Sequence, residues 1–338
     1  MQKTPQKQDL LKKIRDGYSL PALSVIAVKL IKTAFDDNFS INDAAELIEK
    51  DPSITVRLLK CANSAFFRNG DQVTTIQRAV QKIGFNHLKI LVLSFSLRDT
   101  YPMGKVGPMD YEEFWKTSLY RAVLARALAE KNHNCDPDEA FVAGLTLEIG
   151  FLIFFDLFIN KNYVTDTPFS PLTSPLAWEK ENFGLNHREI GEEALRYWQI
   201  PETIVECQRF YGLCGISTEG ISTPQLALTC DTARKLANII SDRNDRTANW
   251  HIPFTEAQSV YGINGSILVQ ILITAFDEVK DIADSLKLDI NKEEDIMALT
   301  DKATETLRRL KASSREIKGP LGIIIELAKR LKKRLEPL

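Results

Sequence analysis

Apolar residues return every three or four positions through almost every segment of this 338-residue chain, and no run alternates apolar with polar over a strand's length. That spacing lines up one face of a helix, whereas a half-buried strand needs a period of two. Leu23, Ile26, Ala27, Leu30 and Ile31 make one such face. Ile54, Leu58, Cys61 and Ala62 make a second, with Arg57 and Lys60 placed on the outward side. Ile76, Ala79, Val80 and Ile83 form a third, and the run through Leu88, Leu91, Val92, Leu93 and Phe95 is apolar on nearly every side, as in a central helix. The fold class predicted is all-α, a multi-helix bundle.

Start and stop signals agree with these periods. Asp51 before Pro52 is an N-cap with proline at the first helical position, where its missing N–H costs nothing. Ser40 with Asp43 reads as a capping box, Gly84 as the residue that ends a helix, and Asn86 as the cap of the next one. Asp110 with Glu113, and Asp136-Pro137 with Glu139, open two long helices, and Asn186, Ile200-Pro201 and Thr223-Pro224 mark later starts. Residues 101–109, rich in Pro and Gly, read as a loop, and Gly262 to Ser266 as a helix-to-helix turn. Trp115, Trp178 and Trp198 fall within helical patterns, as core anchors do.

Composition narrows the function classes. The 43 Lys and Arg nearly balance the 45 Asp and Glu, so no global field exists to hold nucleic acid, and no nucleic-acid partner is expected. The five cysteines contain no C-x-x-C pair, and Cys61 and Cys230 sit in apolar patterns as small buried hydrophobes. The polar N-terminus is not followed by an apolar leader. The run Phe151 to Ile159 is interrupted by Asp156 and falls short of the roughly 20 residues that a membrane span needs. A core helix in a cytoplasmic protein without a transmembrane segment is the expectation.

The stretch beginning at Asp51 closes in Ala62-Asn63-Ser64-Ala65-Phe66. Around it, in order, stand Leu20-Pro21-Ala22-Leu23, the block Ile76 to Gly84, Phe114-Trp115-Lys116-Thr117-Ser118, the block Ala140 to Gly150, and Asn186-His187-Arg188-Glu189-Ile190-Gly191. Together these resemble the HDOD domain, a relative of the HD metal-dependent phosphohydrolases found in bacterial signalling proteins. The resemblance covers roughly 20–215 and weakens towards 290. It implies a lead-in over 1–19, the HDOD domain over 20–215, a helical part over 216–290 packed on it, and an amphipathic tail over 291–338.

Catalytic HD proteins gather several His and Asp side chains around one or two divalent metals, which acidify water and polarise a phosphoryl oxygen. The resemblance places Thr117 where one family histidine stands, and Leu147 and Glu148 on the His-Asp pair. A further histidine near Gln208 to Tyr211 is also absent, leaving His187, Asp231 and Glu148. One imidazole and up to two carboxylates cannot reproduce a multi-histidine centre. Thr117, Leu147, Glu148, His187 and Asp231 therefore read as vestigial HD-site positions, with no catalytic residue, metal or cofactor expected. His187 reads first as a structural or capping residue, and Glu148 as a salt-bridged or buried hydrogen-bonding one. The chain has no Walker loop and no Gly-x-Ser-x-Gly elbow.

The resemblance implies a non-catalytic signal-transduction module that works by binding a protein or a small molecule. The alternative is a metal-dependent phosphohydrolase acting on nucleotides or cyclic dinucleotides, as in cyclic-di-GMP signalling. Asn63, Ser64, Phe66, Phe67 and Arg68 form a candidate interaction surface, with an aromatic-plus-arginine character common at interface hot spots. In the tail, Ile296, Leu299, Ala303, Leu307 and Leu310 recur like a coiled-coil seam. Gly319-Pro320 breaks it before a basic amphipathic helix. That tail reads as a packed helix with a solvated basic face, as a signalling or homodimerising helix, or as a contact for anionic membrane. The expected partner is a signalling protein or output domain. No output domain lies in this chain, which suits a standalone regulator or a piece of a longer protein.

Overall fold

The computed structural model describes residues 12, 20, 23–32, 40–64, 72–107, 109–133, 135–159, 176–212, 224–241, 251–312 and 318–335. Helix α1 (Val25–Lys32) is followed by α2 (Ile41–Glu49) and α3 (Pro52–Asn63). Both of the latter start as their caps dictate. Asp43 N–H donates to Ser40 Oγ (3.2 Å) while the Asp43 carboxylate accepts from Ser40 N–H (2.8 Å). The Asp51 carboxylate accepts from Ser53 N–H (2.9 Å) and Ile54 N–H (3.2 Å).

At the end of α3 the Asn63 side chain behaves like a strand neighbour. Its Nδ2 donates to Val73 O, and its Oδ1 accepts from Val73 N–H, both at 2.7 Å. Ser64 is buried and donates to Cys61 O (2.7 Å). These two members of the candidate interaction surface are thus turned onto their own chain, while Phe66, Phe67 and Arg68 lie outside the described residues.

Helix α4 (Ile76–Ile83) stops at Gly84, and α5 (Phe85–Thr100) begins on the next residue. Gly84 has φ +83°, a conformation that glycine adopts without steric cost, so the two helices abut with no spare residue. Asn86 consequently lies inside the first turn of α5 instead of capping it, which corrects the expectation drawn from its residue type. The junction is closed by His87, whose Nδ1 lies 2.8 Å from Ile83 O.

Within the 101–109 loop, β1 (Lys105–Val106) and β2 (Met109–Asp110) pair as a two-residue antiparallel ladder. Helix α6 (Tyr111–Asn132) then crosses the centre of the molecule, with Trp115, Tyr120 and Leu124 among its fully enclosed side chains. It packs against α7 (Pro137–Thr146), α12 (Gln225–Ser241) and α14 (Gly265–Ala283). Between these come α8 (Ile149–Phe154), continued by a π-helical turn over Phe155–Ile159, then α9 (Leu176–Phe183), α10 (His187–Tyr197), α11 (Glu202–Phe210) and α13 (His251–Tyr261). A 3₁₀ turn, Asp284–Leu286, precedes α15 (Lys292–Ala312) and α16 (Lys318–Leu335). The fold is all-α apart from the short ladder.

Among the described residues the stretch Pro137–Phe158 is long and apolar enough to cross a membrane by length and composition, and nearly all of it is buried among the other helices. A bent pair, Pro253–Tyr261 with Gly265–Leu286, passes the same test only when taken together.

Arg57 departs from its expected outward position. It is buried, donating through Nε to Ser285 O (2.6 Å) and through Nη1 to Asp99 (2.7 Å), with its guanidinium 4.2 Å from the centre of the Phe95 ring. It stands one turn beyond Ile54 at the border of the apolar stripe. Its acceptors arrive from segments 42 and 228 residues away, which local periodicity cannot register.

The C-terminal helices fold back on the body. Ile296, Leu299 and Ala303 of α15 and Leu327 and Leu331 of α16 are buried. At the start of α15, Asp295 accepts from Tyr120 Oη (2.8 Å) and pairs with Lys116 Nζ, and all three side chains are enclosed.

The Asn63 clasp sets a testable cost. Asn63→Ala deletes two hydrogen bonds and leaves the Val73 backbone groups half-buried without partners, so unfolding free energy should fall by about 2 kcal/mol. Asn63→Asp keeps the acceptor but sets a carboxylate oxygen against Val73 O, and should cost at least as much. Urea titration followed by circular dichroism measures both; equal stability of all three proteins would refute the clasp.

Candidate functional site

The expected HD positions are built around a guanidinium. Arg121 on α6 is completely buried. Its Nε donates to Gly144 O (2.5 Å), its Nη1 to Glu148 Oε2 (2.5 Å) and its Nη2 to Ser118 Oγ (3.0 Å). The helices come close enough because Gly144 faces Ala122, where an added Cβ would lie 3.0 Å from the Ala122 Cα. Glu148, in the turn between α7 and α8, places its second oxygen 3.9 Å from Arg234 Nη1.

Arg234 and Asp231 sit one turn apart on α12. Asp231 is fully enclosed and accepts from Arg234 Nε (3.0 Å) and from Gly212 N–H (2.6 Å), while Lys235 Nζ lies 3.2 Å from its other oxygen. Lys235 also reaches Glu256 on α13 (2.8 Å). Burial by itself would raise the Asp231 carboxyl, but Arg234 and Lys235 outweigh it and hold the group below the ordinary carboxylate range.

His187 opens α10, where Asn186 and Glu189 form a reciprocal capping box. The buried Glu179 of α9 accepts from the His187 backbone N–H (2.8 Å) and lies 2.7 Å from its Nδ1. Tyr211 stacks on the imidazole at 5.8 Å, and the Phe151 ring meets it edge-on at 5.6 Å. This contact between α8 and α10 requires glycine. A Cβ on Gly150 would stand 2.0 Å from His187 O, and one on Gly191 would stand 2.6 Å from Gln208 Oε1.

Of the five vestigial positions, Glu148 and Asp231 are thus linked through Arg234, and His187 joins them through Tyr211, whose ring lies 5.8 Å from the Arg234 guanidinium. Thr117 turns its hydroxyl back to Glu113 O (2.8 Å), and Leu147 is wholly in the core. Among the described residues no three His, Cys, Asp or Glu side chains are grouped to hold a metal ion.

Arg188, next to His187, completes the centre. It is 8% exposed, its guanidinium lies 4.7 Å from the centre of the Tyr211 ring, and its buried Nε has no hydrogen-bond partner among the described residues. Burial, then the Glu148 carboxylate, keep the Tyr211 phenol protonated far above its ordinary range.

Reading the sequence for ligands overlooked Arg121, Arg188, Arg234, Tyr211 and Glu179. The signal was present: Arg121 follows Thr117 by one turn, Arg188 follows His187 directly, and Arg234 follows Asp231 by one turn. A cation within a turn of three candidate ligand positions describes a salt-bridge lattice better than a metal cage.

The Asp231 carboxylate gives this lattice a pH dependence. Its folded pKa is below the unfolded value of about 3.9, so its stabilisation is complete above that value and lost as pH falls through the folded one. Asp231→Asn should therefore melt well below the wild type at pH 7. The gap should narrow as pH drops below about 4. Melting temperatures at half-unit pH steps decide it, and a constant gap would mean the charge of Asp231 is not what stabilises the fold.

The profile of the HDOD domain matches residues 20–212. Bacillus subtilis YuxH is 28% identical over 133 residues, covering 39% of this chain and 32% of YuxH. A Treponema pallidum protein is 22% identical over 194 residues, covering 57% of this chain and 37% of its own length. The chain thus spans about a third of these curated relatives. In three dimensions, an HDOD domain protein of unknown function from Geobacter sulfurreducens superposes with a TM-score of 0.54 at 18% identity, covering 82% of this chain and 98% of that one. A Shewanella amazonensis SB2B protein that carries a phosphohydrolase name superposes with a TM-score of 0.59 at 23% identity, covering 82% and 97%. These two likenesses concern the fold. With more than half its length matched by the profile, and the family's blocks standing in order along it, the chain belongs to the HDOD domain family.

Proposed function

We propose that this chain is a non-catalytic signal-transduction module that acts by binding a ligand or a partner protein. The observation that carries this reading is the position of Arg121. A divalent ion needs anionic or neutral donors with free lone pairs, and here the Glu148 carboxylate is held by one guanidinium and flanked by a second. An ion entering beside Glu148 would meet that positive charge and compete for the same oxygens. Freeing them would leave Arg121 buried without its counter-charge, at a cost on the order of 3–5 kcal/mol.

Signalling would then work by differential binding, with a ligand favouring one arrangement of helices over another. Helix α6 offers a route. It carries Arg121 at the centre and, within the two preceding turns, Lys116 and Tyr120, which hold Asp295 of α15. A signalling protein or separate output domain reading the C-terminal helices fits this layout.

A metal-dependent phosphohydrolase is the second reading, and one observation favours it. The Glu179 carboxylate on His187 Nδ1 is the arrangement that orients an imidazole to offer Nε2 to a metal.

Metal content separates the two. Untagged protein purified without chelator should hold less than about a tenth of an iron, manganese or zinc ion per chain, since water activation of this kind depends on the ion. It should not hydrolyse bis(p-nitrophenyl) phosphate when these metals are added. Near-stoichiometric metal with turnover that disappears in His187→Ala would establish the phosphohydrolase instead.

A further inference from the structure

One cation of the centre stands apart from the others. Arg121 is matched by Glu148, and Arg234 and Lys235 by Asp231 and Glu256. Arg188 has no carboxylate within 4 Å among the described residues, although it is more than nine-tenths buried. An uncompensated buried charge is costly, and proteins retain one mainly where something else supplies the counter-charge. Burial lowers the hold of Arg188 on its proton; the Tyr211 phenol and Asp231 oppose this, and Arg234 beside it adds to it.

A second guanidinium stands beside it. Gly212 follows Tyr211 with φ +72°, and a Cβ there would lie 2.8 Å from Arg188 Nη2 and 3.5 Å from Arg234 Nη2. The two terminal nitrogens therefore flank Gly212 from two helices, α10 and α12. Arg234 meets Asp231 through Nε and Glu148 through Nη1, so the nitrogen aimed at Gly212 is its third. Tyr211 adds a protonated phenol whose buried oxygen has no hydrogen-bond partner among the described residues. Neither residue is wholly enclosed: the Arg234 side chain retains 13% of its surface and Arg188 retains 8%.

We infer that Arg188, Arg234 and Tyr211 form a receptor for a phosphate group. Two guanidiniums arriving from different helices suit the tetrahedral spread of phosphate oxygens better than the single plane of a carboxylate. A phosphate dianion would also give Arg188 the close counter-charge that no carboxylate of the described residues provides. The inference rests on the reading of this centre as a binding site rather than a metal-hydrolytic one, and it supplies the class of ligand that such a site would take. The phosphate could be free or borne as a monoester on a larger molecule, and the chemistry on the protein side is the same.

Isothermal titration calorimetry with inorganic phosphate and, separately, with adenosine monophosphate tests the proposal, at ionic strength held constant with chloride and in the presence of EDTA. Saturable binding is expected, weakened at least tenfold in Arg188→Gln and several-fold in Tyr211→Phe. Equal affinity for both probes would identify free phosphate as the ligand, and a much tighter nucleotide would identify a phosphate carried on a larger molecule. Without ligand, Tyr211→Phe should melt no lower than the wild type, because it removes a buried hydroxyl that has no hydrogen-bond partner among the described residues. If Arg188→Gln does not fold, Tyr211→Phe still decides the matter, since it changes one oxygen and keeps the ring. Absence of saturable binding, or unchanged affinity in both variants, overturns the receptor while leaving the non-catalytic reading to the metal analysis. A parallel titration without EDTA completes the test: phosphate binding that appears only there overturns both readings, because the anion would then be held by a metal.

Discussion

The centre of this molecule depends on one buried ion pair. Arg121 and Glu148 are enclosed on all sides, and such a pair is retained only when its remaining hydrogen-bonding capacity is satisfied. Here the guanidinium spends Nε on Gly144 O and Nη2 on Ser118, so each of its three nitrogens has an acceptor. The consequences run outward. Glu148, fixed by Arg121, sets the distance at which Arg234 can approach; Arg234 orients Asp231; Asp231 in turn receives the Gly212 N–H and shapes the turn after α11. Three helices, α6, α7 and α12, and two turns are tied together by this relay of charges.

Close helix crossings make the relay fit. Gly144 lets α7 approach α6, and Gly150 lets α8 approach the first turn of α10, with Gly191 accommodating Gln208 behind it. Gln208 then donates to Thr146 O (3.2 Å), satisfying a carbonyl near the end of α7. These glycines stand in helices, where they cost about 1 kcal/mol each relative to alanine. That expense makes sense only where backbones must touch, and here they touch around His187 and Glu148.

Much of this was legible in the sequence, and the boundary between legible and hidden has a physical cause. Caps at Ser40, Asp51, Asp110, Asp136 and Asn186 are local devices, written within three residues of the groups they satisfy, and all appear in the structure. The buried position of α5 followed from apolar residues on nearly every face. Asn86 misled because a cap-forming residue type stood two positions after Gly84, whose backbone conformation had already turned the chain into the helix. Arg57 misled because its acceptors come from Asp99 and Ser285, and distant polar groups leave no periodic trace. The candidate site divides the same way. The sequence could be searched for ligands that a metal needs, and so drew the eye to His187, Glu148 and Asp231. The guanidiniums that give those residues their environment were adjacent in sequence but had no place in the pattern being matched.

The profile match ends at Gly212, yet the charge balance does not. Asp231, Arg234 and Lys235 all lie on α12 beyond it, and Glu256 lies further on still. Without α12, Glu148 would keep Arg121 but lose its second cation, and the Gly212 N–H would lose its acceptor. Asp295 extends the same dependence to α15, because Lys116 and Tyr120 would be buried with unsatisfied polar heads if that helix withdrew. The C-terminal helices therefore supply counter-charges that the family-matched part needs, and a force on α15 is a force on α6. Helix α6 carries both Arg121 and the two residues that hold Asp295, so it is the element through which the proposed ligand and a partner on the C-terminal helices would be coupled, and that coupling would be reciprocal.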